Sequence, residues 1–301
     1  MRSLFLIFNG KGNFMSEVNQ KINWYPGHMA KTKKQLEKDL RLVDAVIELC
    51  DARAPYASRN PDLIHMTKGK RHILVLNKSD LADDSLTNKW IAFYKEKGLE
   101  VIAFHSTNGK PKKILDAVTN LVSDSVERMK ARGAEKTVRI MVVGIPNVGK
   151  STFINKLRGQ AIAKAADKPG VTRTNQWIKI GPYLELLDTP GMLWPRLEDQ
   201  DRARLLAYLG TINDSIINLE ELAAELIRLL MVLKPEATLD RFKLKAYDPN
   251  LDAEHIMELA AAGRGWLLPG GKYDTERAAQ LVLDEFRAGK IGKVTLEDGR
   301  R

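Results

Sequence analysis

Gly144-Ile145-Pro146-Asn147-Val148-Gly149-Lys150-Ser151 places two glycines across a four-residue gap and follows them with a lysine and a hydroxyl residue. This arrangement wraps a chain of phosphates. The glycines let backbone come close to an anion, and successive N–H groups and a following helix N-terminus supply positive potential. Lys150 reaches the outer phosphates, and the Ser151 hydroxyl is a ligand for Mg2+. About forty residues on, Asp188-Thr189-Pro190-Gly191 offers a carboxylate for the same cation and an N–H, that of Gly191, for a third phosphate. The polar loop Lys168-Pro169-Gly170-Val171-Thr172-Arg173-Thr174 between them gives Thr172 as a further metal ligand. The phosphate-binding candidates are therefore Asn147, Val148, Gly149, Lys150, Ser151, Thr152 and Gly191, and the metal candidates are Ser151, Thr172 and Asp188.

The base is read upstream, at Asn77-Lys78-Ser79-Asp80. A carboxylate at Asp80 accepts two hydrogen bonds from guanine, one from N1–H and one from the exocyclic amine. Asn77 ties the loop down, and the Lys78 stem covers the ring. Adenine has no such donor pair and would leave the carboxylate unsatisfied, which is the kind of mismatch that discriminates strongly. Ser106 and Thr107, in Ser106-Thr107-Asn108, are placed to contact guanine through their backbone.

These residues need a scaffold that delivers each from a strand end. Residues 45–50, 72–76, 99–104 and 138–143 are short apolar, β-branched runs separated by helical stretches such as Thr87 to Lys97, the pattern of a parallel sheet. Residues 176–180 and 184–187 read as an antiparallel edge hairpin turned at Gly181-Pro182. From Leu197 to Leu233 and from Asp274 to Ala288 the apolar residues recur at helical spacing. The expected fold is α/β: a mostly parallel sheet flanked by helices, followed by a mainly helical domain. The expected division is an N-terminal extension over 1–21, a nucleotide-binding domain over 22–194 and a helical domain over 195–301. Residues 1–14 read as an upstream-start extension or a disordered tail, without function.

Composition narrows the classes. With 44% hydrophobic and 29% charged residues in 301, the chain is an ordinary globular one and neither collagenous nor disordered. Lys and Arg number 48 against 38 Asp and Glu, a net charge of +10, which favours a polyanionic partner. The single cysteine, Cys50, excludes a disulfide framework and reads as a small buried hydrophobe. No run of apolar residues is long enough for a membrane span or a signal peptide, so the expectation is a cytoplasmic protein without a membrane partner.

The base-reading motifs stand ahead of the phosphate loop, the reverse of the order in small GTPases, and in this the chain resembles the circularly permuted GTPases. Trp24-Tyr25-Pro26-Gly27-His28-Met29-Ala30-Lys31, Asp51-Ala52-Arg53-Ala54-Pro55 and Ser58-Arg59-Asn60-Pro61, taken with the three motifs above, resemble the ribosome biogenesis GTPase A family from about residue 22 onward. The resemblance implies a monomeric GTPase with GTP as substrate and Mg2+ as cofactor, acting late in maturation of the large ribosomal subunit. It implies rRNA binding in the GTP state and release after subunit-stimulated hydrolysis. The alternative is a GTP-gated RNA-binding checkpoint protein in which hydrolysis is incidental. After Gly191, where many GTPases carry a water-orienting glutamine, stands Met192, so basal hydrolysis is expected to be slow. The resemblance implies His28 as the catalytic residue that positions water, and Asn147 as a support for K+. Lys31, Lys34, Lys38 and Arg41 recur at helical spacing, suited to an RNA backbone or to an ordinary solvated helix face. Trp266, beside Arg264, is a candidate base-stacking residue or a core residue.

Overall fold

The computed structural model describes residues 22, 29–105, 108–133, 137–159, 176–181, 184–193 and 199–298. His28, Ser106, Thr107 and Thr172 lie outside the described residues, as do residues 1–21. The chain forms two compact units, one made of the described residues between 25 and 196 together with Glu297 and Asp298, the other of Ile22 and residues 199–296.

The first unit is built on a six-stranded sheet in the order β3-β2-β1-β4-β6-β5. Its strands are β1 (Ala45–Asp51), β2 (Arg71–Asn77), β3 (Glu100–Ala103), β4 (Val138–Gly144), β5 (Gln176–Gly181) and β6 (Leu184–Asp188). All neighbours pair in parallel except β5 and β6, which pair antiparallel as the edge hairpin. Every residue of β1 is buried, as the central strand of a sheet covered on both faces must be. The register aligns Asp51 with Asn77, Leu49 with Gly144 and Val142 with Asp188. The chemistry-bearing residues therefore emerge together at the carboxyl ends of adjacent strands, where open α/β sheets place their ligands.

Around this sheet stand α1 (Met29–Asp39), α2 (Pro61–Met66), α3 (Asp84–Glu96), α4 (Pro111–Lys130) and α5 (Lys150–Arg158). Proline at the first turn starts α2 and α4, and the Asp83 carboxylate caps α3 by accepting from Leu86 N–H. The middle of β1 carries a buried carboxylate. Glu48 accepts from both Nε and a terminal nitrogen of Arg59, at 2.9 and 2.6 Å, and His72 Nε2 lies 3.0 Å away. Burial alone would raise the Glu48 pKa, but His72 and the Arg59 guanidinium beside it bring it down to about 2. The ion pair thereby fixes Arg59, whose other face lies against the Tyr94 ring.

The second unit holds α6 (Gln200–Tyr208), α7 (Leu219–Leu233), α8 (Pro235–Phe242), α9 (Ala253–Arg264) and α10 (Thr275–Arg287). Its core joins Leu222, Leu226, Leu230, Phe242, Ile256, Val282 and Phe286. The helical run expected from Leu197 to Leu233 is broken by Gly210, at φ +71°, and α7 restarts where the Asn218 side chain caps Glu220 and Glu221. Trp266 is 8% exposed and lies under the Arg264 guanidinium, so of its two readings the core one holds.

Candidate functional site

The phosphate loop runs from the last residue of β4 to the first of α5. Gly144 and Gly149 are where glycine is required. Gly149 sits at φ +95°, and a Cβ there would fall 2.7 Å from Asn77 Nδ2; a Cβ on Gly144 would meet the Leu49 carbonyl oxygen at 2.7 Å. Gly149 is the residue before α5 and offers that helix no side-chain cap, and the first N–H groups of a helix are the donors an anion uses. Ser151 is half-buried and Thr152 exposed in the first turn, and Val148 is buried.

Lys150 is buried, and its Nζ donates to the carbonyls of Ile145 at 2.8 Å and Gly144 at 3.2 Å. Burial pulls its pKa down to about 8, while the charge of Asp188 pulls the other way. An ammonium tethered in this way has a third N–H to offer a phosphate.

The base-reading loop is fastened directly to the phosphate loop. Asn77 Nδ2 donates to the Val148 carbonyl at 2.8 Å, and Lys78 Nζ to the Asn147 carbonyl at 2.9 Å. Lys78 takes a left-handed conformation, φ 56°, which turns the chain into the short 3-10 turn Ser79–Leu81, and Asp80 is exposed there. Asn147 is also left-handed, φ 58°, and exposed. Two motifs some seventy residues apart thus form one surface, with the Asp80 carboxylate at one end and the N-terminus of α5 at the other.

Asp51, one residue of a quoted motif to which the sequence assigned no chemistry, is a member of this site. Its Oδ2 lies 2.8 Å from an Arg53 terminal nitrogen and 3.1 Å from Lys78 Nζ. Although burial opposes it, the Arg53 and Lys78 charges hold the Asp51 carboxyl well below the usual carboxylate range. Asp51 therefore anchors the Lys78 amine. The signal that could have found it is its place at the end of the strand beside β2.

On the other side of the phosphate loop Thr189 Oγ1 donates to the Val142 carbonyl at 2.7 Å, and Met192 N–H to the Gly144 carbonyl at 3.2 Å. A Cβ on Gly191 would stand 2.7 Å from Pro146 Cα, so this segment rests against the phosphate loop. Ser151 and Asp188 supply the hard oxygen donors that suit Mg2+. Among the described residues no group of three or more His, Cys, Asp or Glu could hold a metal. A cation at Ser151 and Asp188 would complete its shell with phosphate oxygens and water, as Mg2+ does in phosphoryl-transfer sites.

A phosphate loop joined to a guanine-reading loop on a mostly parallel sheet, with the base-reading half first in the chain, defines a P-loop GTPase of permuted order. A family model described as 50S ribosome-binding GTPase matches residues 139–253. A protein of Bacillus cereus named Ribosome biogenesis GTPase A is 47% identical over 92% of this chain and 93% of its own. One of Bos taurus named Mitochondrial ribosome-associated GTPase 1 is 38% identical over 95% of this chain and 91% of its own. A solved structure titled GNP-bound YlqF from T. maritima superposes with a TM-score of 0.63 at 31% identity, covering 90% of this chain and 99% of that one. The chain belongs to the ribosome biogenesis GTPase A family.

Proposed function

We propose that this protein is a GTP-hydrolysing assembly factor of the large ribosomal subunit: it binds rRNA in its GTP state and leaves after the subunit has stimulated hydrolysis. The observation that carries the nucleotide part is the direct fastening of Asn77 and Lys78 to Val148 and Asn147, which gives base and phosphates one rigid seat. Asp80 and the backbone of Ser106 and Thr107 read guanine. Lys150, with the N–H groups from Asn147 to Thr152, holds the phosphates, and Gly191 senses the third. Ser151, Asp188 and Thr172 hold Mg2+, which when bound neutralises charge on the phosphate oxygens. Asn147 supports K+.

The partner is argued from charge and kinship. Lys31, Lys34, Lys38 and Arg41 are all exposed along α1 and the turn after it, a spacing suited to phosphates of an RNA backbone, and the relatives are named for the ribosome. No helix of the described residues is long and apolar enough to cross a membrane, and the protein acts as a monomer in the cytoplasm. Met192 is buried with its N–H spent on Gly144, so water is positioned by another group, His28, just ahead of α1.

The test is GTP hydrolysis at physiological K+ with and without purified large subunits, for the wild type and His28→Ala. The expected outcome is strong stimulation that falls by about 100-fold or more in the variant while GTP affinity holds, in the range of a lost acid–base or water-positioning group. Stimulation that survives the substitution removes His28 from the mechanism. No stimulation leaves the GTP-gated RNA binder.

A further inference from the structure

The loop from β1 to α2 meets the segment after β6 at the side chain of Asn60. It is 1% exposed, and its two ends have different tasks. Oδ1 accepts from the Asp62 N–H at 2.9 Å and caps α2, while Nδ2 donates to the Met192 carbonyl at 2.7 Å. The amide has only one orientation that serves both, because an N–H faces one end and a carbonyl the other.

Met192 is the residue after Gly191. Its N–H is held by the Gly144 carbonyl and its C=O by Asn60, so the chain just past Gly191 is fixed on one side by the phosphate loop and on the other by the β1–α2 loop. Gly191 lies between Pro146 and Lys150, with space for no side chain. A small shift of Met192 therefore moves the Gly191 N–H relative to the Lys150 ammonium.

We propose that Asn60 is a positioning residue for GTP hydrolysis, holding the Met192 carbonyl so that the Gly191 N–H stands where the third phosphate of GTP arrives. This deepens the GTPase reading and rests on it. Asn60 touches neither the base nor the phosphates; it acts through a single peptide unit. GDP has no group at Gly191, so the effect of Asn60 falls on GTP alone. That selectivity separates positioning from a merely structural role, which would weaken both nucleotides together.

Asn60→Asp and Asn60→Ser both retain an oxygen that caps α2, yet Asp has no N–H for Met192 and the Ser hydroxyl stops one bond short of where Asn60 Nδ2 donates. Asp also turns a carboxylate oxygen towards a carbonyl. The measurement is the affinity of each variant for GDP and for a non-hydrolysable GTP analogue, with single-turnover hydrolysis. The expected result is GDP affinity within about twofold of wild type, analogue affinity lower by about tenfold, and slower hydrolysis, the scale of one buried hydrogen bond lost. Unchanged binding of both nucleotides overturns the proposal. So does a parallel loss of both, or a failure of both variants to fold, since either makes Asn60 structural. A wild-type protein that bound no GTP would instead remove the GTPase reading itself before Asn60 was tested.

Discussion

Lys150 keeps its charge in a place almost without water, and the cost appears as a pKa pulled down to about 8. Nucleotide phosphates favour the ammonium and raise it again. The sign follows: in the free protein near pH 8 about half of these side chains are neutral, and binding must protonate them, so affinity falls as pH rises through 8. GTP binding is expected to take up about half a proton at pH 8 and about a tenth at pH 7, read by titration calorimetry in buffers of different ionisation enthalpy. Uptake that does not change between the two pH values would show that Lys150 is protonated throughout. At this scale the sequence points to Lys150, Asn77 and Asp80 because each type is demanded by one partner, and the structure brings Asn77 onto the phosphate loop that precedes Lys150. Asp51 and Asn60 stand out in the sequence only as members of their motifs. Their work depends on which strand or loop lies beside them, and type alone does not state that.

The strands were legible because each is a short apolar run with a turn at its end, and the hairpin of β5 and β6 because its turn residues are explicit. Helix α8 and the break before α7 were not. Gly210 and Pro235 interrupt a helical periodicity that otherwise continues across them. The loop from β1 to α2 has no periodicity at all, and its form comes from its own polar contacts, such as Asp51 N–H to Ser58 Oγ at 2.8 Å, together with contacts to residues distant in sequence. One close fit between elements is that of Gly149 against Asn77. Gly149→Ala adds a side chain at φ +95° and pushes on the Asn77 amide, separating the base-reading loop from the phosphate loop. GDP and GTP should weaken in parallel, by about tenfold or more for a strain of at least 1–2 kcal/mol, with their ratio preserved. A change confined to GTP would mean that the fastening of the two loops is not what was disturbed. This outcome is the opposite of that expected for Asn60, and the two variants can be compared in one assay.

For the molecule as a whole, one contact joins described residues 241 apart in sequence. The Glu297 carboxylate accepts from the N–H groups of Tyr56 and Ala57, at 2.7 and 3.0 Å, and its backbone carbonyl accepts from Trp90 Nε1 at 3.1 Å. At 8% exposure it is a buried clamp on the loop after Asp51 that carries Arg53 and Asn60. No sequence pattern marks a lone glutamate as such a clamp. Glu297→Ala removes two charge-assisted hydrogen bonds and should lower the stability of the sheet-bearing unit by about 2–4 kcal/mol. Urea unfolding together with amide exchange at Tyr56 and Ala57 measures this, and unchanged exchange at those two amides would refute the clamp. The order of synthesis gives the contact a further meaning. A chain made from its N-terminus folds its earlier parts first, and Tyr56 precedes its clamp by 241 residues. During translation the strands, the phosphate loop and the guanine-reading loop are all present while the segment linking them still lacks its last support. The nascent protein therefore cannot hold its nucleotide site in finished form until Glu297 has been made.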